Sequence, residues 1–275
     1  MIKLLKIEWL KIKGYNAFIV ISAFFALGVF AANYLVYYFK KNVIDPSDPT
    51  GLISGGSPFD FSKVWQTVSY ISGYMLLLPG MLLLILVTNE FTYRTHRQNI
   101  IDGIRRIQFT QVKLLLGVIT AVACTLLVIF AALLFGTTAG NGSFSLDGIE
   151  NIGYFFLKAL TYNFIAILLG VLIRRTGFAI AVYFIYSVVE NGISLMLLGW
   201  SVKLKKDNNI DFGNLGNYLP MNASDGLIYS PFSNFTNMAK RFLPSDYTWL
   251  VLSLTLLYLV LFYFWSQRRM VKSDL

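Results

Sequence analysis

The chain has 275 residues, of which 56% are hydrophobic, 16% aromatic and only 13% charged. Soluble domains carry about 25% charged residues. This composition, with a mean hydropathy of +0.62, therefore excludes a soluble globular domain, a disordered chain and a coiled coil. The single cysteine (Cys124) and single histidine (His96) also exclude an intrachain disulfide and a Cys/His metal cluster.

Six apolar segments are long enough to cross a bilayer, which requires roughly 20 residues. The first is too long for a signal-peptide core and lacks a small-residue cleavage site after it, so we expect it to be retained. Between spans 4 and 5, two arginines and a glycine predict a tight turn. The sequence thus predicts one all-α polytopic domain, residues 1–275, with spans at 15–39, 64–88, 112–135, 151–173, 177–200 and 247–266.

The distribution of basic residues predicts the orientation of the spans. Six spans place both termini on one side, and of the 23 Lys and Arg residues 14 lie on that side and nine on the other. Because cytoplasmic loops are enriched in Lys and Arg, both termini are expected to be cytoplasmic. The formal net charge of +9 is then a topology signal, and we expect the lipid bilayer as partner and no nucleic acid.

The first 14 residues form an amphipathic stretch. Ile2, Leu5, Trp9 and Ile12 share one helical face, with lysines beside it. The pattern is typical of an interfacial helix lying on the inner membrane surface. It is equally compatible with a plain basic flank.

The cytoplasmic segment 89–111 is polar, yet Ile100, Ile101, Ile104 and Ile107 give it an apolar face at helical spacing. Such a helix either packs under its own bundle or docks on a cytoplasmic partner. On the other side, 201–246 is long for a membrane loop. Its short semi-apolar stretches predict re-entrant or interfacial helices on the outer side. Irregular backbone at membrane depth is tolerated there only where protein or water surrounds it.

Motifs for catalysis were sought without success. The chain contains no Gly-Lys dipeptide, so a phosphate-binding loop for ATP is absent, and it contains no H-E-x-x-H. His96 lies in the cytoplasmic segment, where it cannot form an in-membrane Ser–His dyad. We therefore expect no enzymatic activity and no bound cofactor or metal.

Three polar features lie inside predicted spans. Glu190 is near the middle of span 5, where a carboxylate is costly and is a functional candidate by default. We favour a structural hydrogen bond to another span, because no second acid lies within the spans to complete a proton relay. Lys158 is expected to snorkel outward, and Pro79-Gly80 predicts a kink in span 2.

The order of these parts resembles the permease subunit of ABC-2 type ABC transporters over nearly the whole chain. The most specific local match is the stretch NEFTYRTHRQNIIDG, residues 89–103. Arg105, Arg106, Phe109 and Lys113 follow it. Together they are similar to the family's E-x₃₋₅-R-T…G…R-x-x-F…K coupling region, particularly in half-size, six-span permeases from Bacteroidota-like genomes.

The resemblance implies an exporter in the bacterial cytoplasmic (inner) membrane. A separate ATPase subunit would bind the ATP, a second permease would complete a homodimer or heterodimer, and short outer helices before span 6 would cap the export path. The implied coupling helix begins at Glu90 and sits in a cleft of the ATPase, with isoleucines packed inside and arginines at the rim. The implied ATPase-coupling residues are Glu90, Arg94, Arg97, Ile100, Ile101, Ile104, Arg105 and Arg106.

Two other classes of function stay open. The chain could be a non-transporting six-span scaffold for assembly or signalling. It could also be an ion-coupled secondary transporter, which requires paired charges at mid-membrane, where the sequence offers only Glu190. A neighbouring reading frame that encodes a phosphate-loop ATPase would favour the exporter over both.

Overall fold

The structure is a computed structural model, and it confirms six helices that are long and apolar enough to cross a membrane. The part of the chain that it describes is helical and contains no strand. The protein is therefore a multi-pass, all-helical membrane protein. The described residues are 2–44, 58–93, 95, 101, 105–140, 143–208, 210–231, 244–245 and 247–271.

The helices agree with the predicted spans and extend past most of their ends. An N-terminal helix, Ile2–Lys13, precedes span 1, and a 3₁₀ turn, Leu215–Tyr218, leads into a short helix, Pro220–Asp225, before span 6. The spans are Asn16–Phe39, Phe61–Thr92, Arg106–Ala139, Glu150–Ile173, Thr176–Asn208 and Thr248–Val271.

Spans 2 and 4 form the centre of the bundle. In their most apolar stretches 61% and 67% of the residues are buried, against 17–22% in spans 1, 5 and 6. The exposed side chains of the outer spans are mainly large and apolar, such as Phe24, Val188 and Leu257. Lipid tails are as apolar as leucine, so these faces have no drive to pack inward.

Span 2 is interrupted near its middle. Its two α-helical parts, Phe61–Gly73 and Leu77–Thr92, are joined by a 3₁₀ turn at Tyr74–Leu76. Proline has no N–H to donate and its ring crowds the carbonyl four residues earlier, which for Pro79 is residue 75. The irregularity predicted at Pro79-Gly80 therefore lies in the turn just before it.

The predicted tight turn between spans 4 and 5 is confirmed. Span 4 ends at Ile173, and Arg174 adopts a left-handed conformation with φ of 57°. Span 5 begins at Thr176.

The N-terminal helix and the end of span 6 lie at one end of the bundle, called here the terminal end. The Arg106 guanidinium, at the start of span 3, donates to the Val271 carbonyl at the end of span 6, with a distance of 3.2 Å. Side chains of the N-terminal helix bind the end of span 2 and the start of span 3, as described below. An even number of spans requires this arrangement.

Two glycines in span 2 admit large polar side chains from neighbouring spans. A Cβ at Gly73 would lie 2.7 Å from Lys158 Nζ of span 4. A Cβ at Gly80 would collide with the Tyr183 hydroxyl of span 5 and lie 2.9 Å from its Cζ. Tyr183 is fully buried, so its ring has nowhere to move.

Gly80→Ala is expected to destabilise the protein by roughly 1–3 kcal/mol, the usual range for overpacking. Gly192→Ala is the matched control, because an added Cβ there meets no atom within 4 Å, and alanine favours a helix by about 0.5–1 kcal/mol over glycine. Adding Tyr183→Phe to Gly80→Ala should recover part of the loss. Thermal unfolding in detergent measures all three effects, and equal melting temperatures for Gly80→Ala and Gly192→Ala would contradict the packing.

Candidate functional site

Four charged side chains meet at the terminal end, and we call them the four-charge cluster: Glu8 and Lys11 of the N-terminal helix, Glu90 of span 2 and Lys113 of span 3. The Lys113 ammonium donates to Glu8 Oε2 and, at 2.6 Å, to Glu90 Oε1. Lys11 donates to Glu8 Oε1 at 3.0 Å and to Glu90 Oε1 at 3.3 Å. Each lysine therefore bridges both carboxylates.

The cluster is largely shielded from water. The side chain of Lys113 is 3% exposed and those of Glu8 and Glu90 are 9% exposed, whereas that of Lys11 is 39% exposed. Lys113 also lies over the ring of Phe109, 5.4 Å from its centroid. A buried charge is tolerated when it is paired and hydrogen-bonded, so each member depends on the others.

Both groups of the N-terminal helix hold their charge across the neutral range. Burial opposes ionisation of Glu8, but the charges of Lys113 and Lys11 outweigh it and lower its pKa below 4.5. Burial likewise opposes protonation of Lys11, but Glu90 and Glu8 raise its pKa above 10.5. The contribution of Glu8 is lost only as pH falls through its lowered pKa, and that of Lys11 only as pH rises through its raised pKa.

The predicted coupling residues fall in several places. Glu90 lies in the last helical turns of span 2, buried, and does not begin a separate helix. Ile101 is helical and 84% exposed. Arg105 is exposed and precedes the first turn of span 3, where its N–H bonds Gln108 Oε1, and Arg106 contacts span 6. Four members lie outside the described residues: Arg94, Arg97, Ile100 and Ile104.

The structure joins the two ends of the predicted coupling segment. Span 2 continues to Thr92 and span 3 begins at Arg106, so the connection between the two helices is shorter than the predicted 89–111. The Glu90–Lys113 ion pair holds together the two helices that this connection joins. Sequence reasoning did not identify Glu8 and Lys11 as members of the four-charge cluster. The sequence feature that could have indicated them is an acid and a lysine three residues apart on an amphipathic helix.

Replacing Lys113 by Met is expected to destabilise the protein by roughly 3–5 kcal/mol, because it leaves two carboxylates buried together. Adding Glu8→Gln and Glu90→Gln to Lys113→Met should recover much of this loss, since the neutral set no longer requires a cation. Lys206→Met, at an exposed lysine, is the control. Unfolding by denaturant in detergent gives the free energies, and a Lys113→Met variant as stable as Lys206→Met would refute the cluster's role.

A second buried polar site lies around Glu190. Its Oε1 accepts hydrogen bonds from the backbone N–H groups of Met221 at 2.6 Å and Asn222 at 2.8 Å. These N–H groups belong to the first turn of the short helix Pro220–Asp225, whose own N-cap residue, Leu219, makes no side-chain cap. Glu190 thus caps this helix from span 5, and its carboxyl group lies at the positive end of the helix dipole.

The hydrogen bonds of Glu190 differ from the expectation in one respect. We expected a structural bond to another span, whereas the partner is the short helix Pro220–Asp225, which packs among the spans. The short helix is buried, as are Met221 and Ala223 within it, and it packs between spans 4, 5 and 6. The Tyr258 hydroxyl of span 6 donates to the Tyr218 carbonyl at 2.7 Å and secures the turn that precedes it.

The last residue of the short helix brings a second acid into the bundle. Asp225 accepts hydrogen bonds from the Tyr162 hydroxyl at 3.0 and 3.1 Å and pairs with Lys158 Nζ at 3.2 Å. Lys158 is 7% exposed and lies between the rings of Tyr74 and Tyr162, at 5.6 and 5.8 Å. The expectation that Lys158 snorkels outward is therefore wrong, because an internal partner is available.

Glu190→Gln is expected to preserve folding, because the amide oxygen can accept the same two backbone N–H groups. Glu190→Leu should cost about 1–3 kcal/mol for each N–H left without an acceptor. Asn191→Leu is a neighbouring control whose side chain bonds only its own helix, at the Ser187 carbonyl. Thermal unfolding compares the three. If Glu190→Gln unfolded as readily as Glu190→Leu, the charge rather than the acceptor would be essential.

Comparisons with known proteins identify no relative. No protein-family model, no curated protein sequence and no solved structure is significantly similar to this chain. Its function must therefore be argued from the two buried sites and the order of the spans.

Proposed function

We propose that this chain is the membrane-spanning permease subunit of an ABC-2 type exporter, driven by a separate cytoplasmic ATPase and paired with a second permease. The terminal end would face the cytoplasm of a bacterial cell, in agreement with the excess of Lys and Arg on that side. ATP hydrolysis would take place in the partner, and this chain would form the translocation path.

The observation that carries the proposal is the junction at the base of the 93–105 connection. Glu90 and Lys113 anchor its two ends at 2.6 Å, and the N-terminal helix binds both. A partner that pushed on this connection would act on spans 2 and 3 together. Energy from ATP can shift a conformational equilibrium only through contacts that differ between the states, and this junction offers such a contact.

An exposed apolar side chain in the connection, that of Ile101, supports the same proposal. Ile101 is 84% exposed, although it belongs to a helical pattern with an apolar face. A large apolar side chain outside the membrane gains by docking into a partner's cleft. Arg105, exposed beside it, would lie at the rim, where charges mostly tune the rate of association.

The test is Ile101→Asp in the full chain, co-expressed with the phosphate-loop ATPase that the proposal requires a neighbouring reading frame to encode. An aspartate buried in the cleft is unpaired, so co-purification and substrate-stimulated ATP hydrolysis should both fall at least roughly tenfold, the equivalent of about 1.4 kcal/mol. Ile149→Asp is the control, at an isoleucine that is 46% exposed at the opposite end of the bundle. If Ile101→Asp kept both co-purification and substrate-stimulated ATP hydrolysis, this docking site would be refuted.

A second candidate, an ion-coupled secondary transporter, gains from one observation. The side chain of Asp225 is 23% exposed and pairs with Lys158 at one end of the short helix, while Glu190 caps the other end, so two acids and a lysine lie among spans 4, 5 and 6. Paired intramembrane charges are typical of ion and proton pathways. Glu190→Gln separates the candidates, because an ATP-driven exporter should keep its transport and a proton-coupled one should lose it while the protein stays folded.

A further inference from the structure

Two cavities meet under the N-terminal helix. The larger, about 540 Å³, lies between this helix and spans 1, 2 and 3. The smaller, about 200 Å³, is lined by the four-charge cluster together with Tyr15 and Asn89. Ile12 and Leu86 line both cavities. The apolar cavity and the charged cavity are therefore adjacent, and the side chains of Ile12 and Leu86 lie between them.

The larger cavity suits hydrocarbon. Its walls include Leu5, Phe25, Leu83 and Leu127, and few polar groups reach it. One of these, the Thr120 hydroxyl, already donates to the Leu116 carbonyl at 2.8 Å. Water needs two to four polar partners to occupy a cavity, so this one excludes water and admits apolar ligands. Because most of its walls belong to membrane spans, the acyl chains of the bilayer are the ligands at hand.

The smaller cavity offers a donor for a phosphate oxygen. An ammonium has three N–H donors, and the bonds from Lys11 to Glu8 and Glu90 use two of them. The side chain of Lys11 is 39% exposed, whereas that of Lys113 is 3% exposed. Lys11 is thus the member of the cluster that an incoming headgroup can reach.

We propose that these two cavities form the binding site for one phospholipid, with an acyl chain in the larger cavity and the phosphate at Lys11. The four-charge cluster is already balanced, with two ammonium groups and two carboxylates. A zwitterionic headgroup adds no net charge to it, so phosphatidylethanolamine fits better than an anionic lipid. The bound lipid would fasten the N-terminal helix to spans 1, 2 and 3, and this inference does not depend on the proposed function.

The first test is native mass spectrometry of the full chain in detergent, titrated with phosphatidylethanolamine or with diacylglycerol of the same chains. One tightly held phosphatidylethanolamine is expected, with diacylglycerol roughly tenfold weaker because it lacks the charge-assisted contact to Lys11. Lys11→Gln should weaken phosphatidylethanolamine to the level of diacylglycerol, while Lys6→Gln, at an exposed lysine of the same helix, should not. Equal binding of the two lipids to the unmodified chain would overturn the headgroup site.

Filling the larger cavity tests the acyl-chain site. Ala123 lines this cavity from span 3, so Ala123→Phe should abolish the tight lipid. Ala181→Phe is the matched control, because Ala181 is exposed on span 5 and lines neither cavity. A folded Ala123→Phe variant that kept its lipid would overturn the acyl-chain site.

A measurement on the unmodified chain covers the case in which Ala123→Phe fails to fold. Phosphatidylethanolamine with a mid-chain diazirine can be photo-crosslinked in bilayers of the same lipid, and the labelled peptides can then be mapped. Label enriched on the buried cavity-lining residues of span 3, Leu116 and Cys124, supports the proposal. Label spread evenly over the exposed faces of spans 5 and 6, without enrichment in the cavity, contradicts it.

Discussion

The burial of the Lys113 ammonium constrains the whole terminal end of the bundle. A cation with 3% of its side chain exposed is stable only while carboxylates neutralise it. One carboxylate, Glu90, comes from the end of span 2, and the other, Glu8, comes from outside the spans. The N-terminal helix therefore contributes one of the two carboxylates at the contact between spans 2 and 3, which makes this helix a part of the bundle.

The opposite half of the bundle solves the same problem with a different segment. Lipid offers no hydrogen bonds to polar groups, so Glu190 and Lys158 must find protein partners. The short helix Pro220–Asp225 provides both, with backbone N–H groups at its start and a carboxylate at its end. Asp225 at a helix C-terminus opposes the dipole, and the ammonium of Lys158 offsets that cost.

Span 2 connects the two sites. Glu90 lies near the end of its second half, and Gly73 contacts Lys158 at the end of its first half. The 3₁₀ turn at Tyr74–Leu76 separates the two halves. Interruptions of this kind are places where a helix bends.

Hydropathy predicted the six spans, and the two arginines and the glycine between spans 4 and 5 predicted the turn at Arg174, because both features depend on local composition. The partners of the buried charges depend on tertiary packing and were not predictable in this way. Glu8 and Lys113 are 105 residues apart, and Glu190 and Met221 are 31 apart across a loop that looked external. The ion pair of Asp225 with Lys158 joins the same segment to span 4 and was not predictable for the same reason. Within the predicted coupling helix, Ile101 is helical and exposed.

Hydrogen exchange of the N-terminal helix tests the central claim most directly. In lipid nanodiscs, amides of residues 4–13 should exchange slowly in the unmodified chain, because Glu8 and Lys11 fasten the helix to spans 2 and 3. Glu8→Ala should raise their exchange rates roughly tenfold or more, the equivalent of about 1.4 kcal/mol. Lys6→Ala, on the exposed side of the same helix, should leave them unchanged. Equal exchange rates in all three proteins would contradict the account, since the helix would then lie at the membrane surface without the anchor.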